Sequence, residues 1–64
     1  MTSAMATKNA IKRGKQMAAW ARGFYKPADL AAWAAEQGAK SDAAAACGAD
    51  ADAAMYAAAY MHAV

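Results

Sequence analysis

Between Lys8 and about Gly23, apolar and charged side chains recur with the 3.6-residue period of an α-helix. At 100° per residue, Ala10, Met17, Ala21 and Phe24 fall on one stripe, with Trp20 and Ile11 at its margins. Lys8, Lys12, Lys15, Arg22 and Lys26 gather on the opposite side, within about 80° of rotation. Arg13 departs from the pattern by landing between Trp20 and Phe24, on the apolar side. Ala10, Gly14 and Ala18 add a ridge of small residues at four-residue spacing, which suits close packing against an alanine-rich neighbour. Thr7 is a candidate cap for this helix, and Met1–Ala6 are expected to fray as termini do.

Gly23 to Lys26 reads as a turn, and Pro27 suits the first position of a second helix, where its missing N–H is not needed. Asp29 faces the positive end of that helix's dipole, while Leu30, Trp33, Ala34 and Gln37 share one face. Gly38 is a natural stop, which predicts a helix of about eleven residues. Ser41 then caps a third helix with Asp42 in its first turn. Gly48 interrupts that pattern and Asp50 can cap afresh. Residues 42–62 therefore form either one bent helix or a short helix, a break and a longer helix. The final segment carries two apolar faces: Ala53, Tyr56, Ala57 and Tyr60 on one, Ala51, Met55, Ala58 and Met61 on the other. A helix apolar all round is buried on both sides or awaits a partner.

Composition turns this pattern into a fold class. Alanine supplies 24 of 64 residues, against one each of Leu, Ile, Val and Phe. Strands need β-branched and aromatic residues, whereas alanine is the best helix former. The expectation is a single all-α domain over residues 1–64, three helices with the third broken or bent near Gly48. Its core is thin, because an alanine methyl contributes about 0.8 kcal/mol on burial where a large aliphatic side chain contributes about 1.5–3. Trp20, Phe24, Tyr25, Trp33, Tyr56 and Tyr60 are therefore expected mostly inside, meeting around the alanine ridges.

Charge changes the picture again. Residues 1–28 hold six cations and no acid; residues 29–64 hold Lys40 against five acids, a balance of −4. Such a split means either an anionic partner for the first half or attraction between the halves.

Chemistry finds little support. Cys47 has no second cysteine to pair with, and with His62 it falls short of the four ligands of a structural zinc site. Asp50 and Asp52 sit where helix caps belong, and the four glycines are too scattered to cradle a phosphate. No catalytic residue, metal or cofactor is expected. Nor is a membrane partner, since the longest apolar run, Ala53–Met61, is about half a bilayer span and no secretory core precedes Lys8. A cytoplasmic setting follows. Leu30, Ala34 and Gly38 keep a helix-turn-helix spacing, but Ser41–Gly48 offers few groups that read base edges, so ordinary helix packing explains it better.

The function expected from these observations is stoichiometric binding without catalysis. The chain would dock a helical face on a larger protein or nucleoprotein complex and block or bridge it, as small inhibitors that viruses direct at host machinery do. Lys8, Lys12, Arg13, Lys15, Trp20, Arg22 and Lys26 are the candidate contact residues, with Arg13 as the central anchor. Two alternatives stand beside it: shape-tolerant nucleic-acid binding through the basic first helix, and a structural subunit that self-associates through its Ala/Tyr/Met segment.

Overall fold

The computed structural model describes residues 4–63, which form three helices and no strand: α1 (Ala4–Phe24), α2 (Pro27–Ala46) and α3 (Asp50–Ala63). α3 lies between the other two, and α1 and α2 scarcely touch one another. Gly14 of α1 meets Met55, Ala58 and Ala59, and Ala18 clusters with Ala63, so α1 and α3 run parallel. Gly38 of α2 meets Tyr60, and the Ser41 hydroxyl donates to the Ala53 carbonyl at 2.8 Å, so α2 and α3 run antiparallel. The result is a slab of 38 × 21 × 12 Å.

The two apolar faces of the last segment meet two neighbours. Ala53, Tyr56 and Tyr60 turn towards α2, while Met55 and Ala58 turn towards α1. Met61 alone of the large side chains on the second face stays 68% exposed.

Every buried hydrophobic side chain among the described residues is alanine: Ala10, Ala18, Ala21, Ala34, Ala58, Ala59 and Ala63. Gly14 is buried with them. A Cβ built there would run into the Met55 carbonyl oxygen, stand 2.7 Å from the Ala58 methyl and 3.0 Å from the Ala59 nitrogen. The small-residue ridge is thus the buried face of α1, and the aromatic positions are flanks. Trp20 and Phe24, expected inside, are 57% and 66% exposed, and Tyr60 is exposed as well. The physical reason is contact distance: where backbone meets methyl, no bulky ring fits at the seam. Tyr25, Trp33 and Tyr56 are half-buried, and Leu30 and Trp33 pack against the Ala18–Ala34–Ala63 cluster.

The second helix does not stop at Gly38. It continues to Ala46, and a turn at Cys47–Ala49 follows, with Gly48 at φ +78°, the left-handed region that side chains avoid. Gly38 instead gives Tyr60 a flat seat; a Cβ there would stand 3.3 Å from the ring. Ser41, expected as a cap, lies inside α2 and bridges it to α3. The unbroken α2 also removes the turn that a helix-turn-helix reading needs. Pro27 takes the first turn of α2 as expected, with Lys26 at the cap position. α1 starts at Ala4, so Thr7 lies within it rather than capping it, and the first three positions of the segment expected to fray lie outside the described residues.

Gln37, 3% exposed, is the buried polar side chain among the described residues, and its Oε1 has no hydrogen-bond partner. An orphaned buried acceptor costs about 1–3 kcal/mol.

Two substitutions at glycine separate seam from surface. Gly14→Ala forces a methyl against backbone and should lower stability by about 2 kcal/mol or more in urea unfolding followed by circular dichroism. Gly23→Ala, with nothing within 4 Å of the new methyl, should raise it by about 0.5–1 kcal/mol. Equal, stabilising effects of both would disprove the close contact. Gln37→Met, of similar length and without the orphan oxygen, should raise the same unfolding midpoint, by about 1 kcal/mol in free energy.

Candidate interaction surface

With its small residues against α3, α1 presents two flanks. On one side stand Lys8, Lys12, Lys15 and Arg22, continued by Lys26 in the turn, a row of about 27 Å at helical rise. On the other stand Arg13, Gln16, Met17 and Trp20, which line a groove with Met55 of α3. All seven candidate contact residues are exposed, but the structure divides them: five cations on one flank, Arg13 and Trp20 on the other.

Attraction between the halves, one of the two alternatives for the charge split, yields no ion pair for α1 among the described residues. Among the described residues the salt bridge is Lys40 to Glu36, at 3.9 Å within α2. Topology explains this. α3 separates α1 from α2, where Asp29, Glu36 and Asp42 reside, while Asp50 and Asp52 occupy the first turn of α3, facing its dipole. The basic row therefore points outward without internal neutralisation.

Arg13 shares a groove with Trp20, yet among the described residues the cation that lies over a ring is Lys40, with Nζ 5.8 Å from the Tyr56 centroid. Trp20 stacks instead on Phe24, one helical turn on, with centroids 5.0 Å apart and planes at 11°. Tyr25 meets both rings edge-on, at 5.9 and 4.9 Å, and reaches Trp33 at 6.4 Å. These four rings tie the α1–α2 turn together, and their outer members face solvent.

Sequence reasoning missed this exposed cluster because it centred the buried stripe of α1 on its large residues. Centring on Ala10, Gly14, Ala18 and Ala21 places Trp20 and Phe24 about 80–120° away, on a flank. Cys47 is exposed with a free thiol, His62 is exposed near the end of α3, and no group of three metal-ligating side chains occurs among the described residues. No described helix is long and apolar enough to cross a membrane. The chain matches no protein-family model, and no curated protein or solved structure matches it.

The two tryptophans should differ sharply. Trp33→Ala removes a ring packed on the alanine cluster and should cost about 2 kcal/mol or more. Trp20→Ala removes a mostly exposed ring and should cost under about 1 kcal/mol. Chemical unfolding of both variants measures the difference, and the reverse order would contradict the assignment of flank and core.

Proposed function

We propose that this chain is a non-enzymatic binding protein that docks through α1 on a larger protein or nucleoprotein complex and blocks or bridges it. The observation that carries the reading is the outward, unpaired basic row on a chain that holds five carboxylates of its own. Charges left without internal partners attract an anionic surface over a Debye length of about 8 Å at physiological salt, which raises the rate of encounter. The opposite flank supplies what charge does not. Arg and Trp beside an apolar groove are the residue types that dominate interface energetics and slow dissociation. No residue in this reading performs a chemical step, and no cofactor takes part. A cytoplasmic setting belongs to the reading and fits the single exposed thiol of Cys47.

The length of the basic row favours one second reading, binding to a nucleic-acid backbone without sequence readout. Five phosphate contacts would give a slope of about −4.5 in log affinity against log salt.

Affinity capture with the full chain, paired with gel shifts of duplex and single strands at two salt concentrations, tests the reading. Capture of a protein partner that weakens about tenfold or more with Arg13→Ala, while helicity is retained, is the expected result. A large loss of helicity in that variant would make Arg13 structural. A tight gel shift with the steep salt slope, and no protein partner, would replace the reading with nucleic-acid binding.

A further inference from the structure

The α1 flank that carries the basic row borders a second groove, between α1 and α3. Ile11, Ala54, Ala57, Ala58, Met61 and His62 line it, around a volume of about 290 Å³. Its floor is alanine, which lets another backbone approach closely. Its walls are Ile11 and Met61, 37% and 68% exposed. Ala54 to His62 spans about 12 Å of helical rise, the length of two turns. Among the described residues no carboxylate lines it. Along its α1 edge, Lys8, Ile11, Lys12 and Lys15 follow one another at spacings of three, one and three residues, a single ridge of cations around one apolar side chain.

We propose that this groove seats an acidic amphipathic helix of a partner protein. The proposal rests on the binding reading above and names the chemistry of the partner. Two observations select that occupant. The cations on the α1 edge call for carboxylates, and the alanine floor between two exposed apolar walls calls for aliphatic side chains at helical spacing. A phosphate backbone would use the cations but gain nothing from Ile11 and Met61. A second copy of this chain is a poorer match: its α3 carries carboxylates only in the first turn, and its α2, which holds Asp29, Glu36 and Asp42, already packs Leu30 and Trp33 against the alanine cluster.

The probe is a labelled peptide of about 18 residues, long enough to hold a helix, with leucines three and four apart and glutamates between them. A control peptide replaces every glutamate by lysine. Fluorescence anisotropy with the full chain should show saturable binding of the glutamate peptide and none of the control, with weakening as salt rises. Met61→Glu changes an exposed side chain, so the helical signal should persist while affinity for the peptide falls by about tenfold or more. Lys12→Glu combined with Lys15→Glu should weaken binding at least as much.

Equal binding of both peptides, or indifference to Met61→Glu, would overturn the proposal. So would duplex DNA that displaces the peptide and is itself unaffected by Met61→Glu, which would assign the row to phosphate. Concentration-dependent sedimentation abolished by Met61→Glu would give the groove to a second copy. If the peptide fails while capture of a partner still depends on Arg13, the groove assignment falls and the broader binding reading stands.

Discussion

The contact of Gly14 with the backbone of α3 is the constraint on which the rest of the molecule depends. It brings a glycine Cα against the Met55 carbonyl and the Ala58 methyl, an approach that no larger residue at position 14 permits. Ala10, Ala18 and Ala21 extend the same surface along α1, and Ala59 and Ala63 are buried on α3. Dispersion across such a seam is weak per atom but dense, since there is little side chain to hold the rods apart. A glycine in mid-helix costs about 1 kcal/mol of propensity, and the close packing is what offsets it.

That economy of volume has a consequence at the surface. A seam of methyls has no room for rings or long aliphatic chains, so these residues lie on its flanks. Three helices side by side, with α3 in the middle, make a slab rather than a closed bundle, and 4299 Å² of surface remains accessible. A compact monomer of 6.6 kDa is expected to expose about 3,900 Å². Trp20, Phe24, Tyr60, Met61 and Met5 stand in solvent. The middle position of α3 also keeps the cations of α1 from the carboxylates of α2. One packing choice thus sets both features on which the proposed function rests, the free basic row and the exposed apolar side chains.

Much of the architecture was legible in the residues, and the failures share a cause. Alanine content and periodicity named three helices, Pro27 marked the start of α2, and the doubly apolar α3 pointed to burial on two sides. Gly38 and Ser41 misled because each has a local meaning, stop and cap, that tertiary contact overrides: Gly38 seats the Tyr60 ring, and Ser41 reaches across to Ala53. Local rules weigh a residue against its own backbone, whereas these two are chosen for a neighbour more than ten residues away. The burial of the aromatics was misjudged for a related reason. Large side chains are the usual core, and only the spacing of the small ones shows that this core excludes them. For the candidate surface, the cationic residues and their separation from Arg13 and Trp20 around α1 were identifiable in sequence, but the exposure of both groups as flanks of a small-residue seam needed the position of α3.

The most direct measurement of the central contact is a nuclear Overhauser effect between the Gly14 α-protons and the Ala58 methyl, resolvable because the chain has four glycines. The account predicts a strong cross-peak in the isolated chain. Its absence, with α1 and α3 both helical by chemical shift, would mean that the two helices do not meet at Gly14 and would contradict the arrangement of seam and flanks.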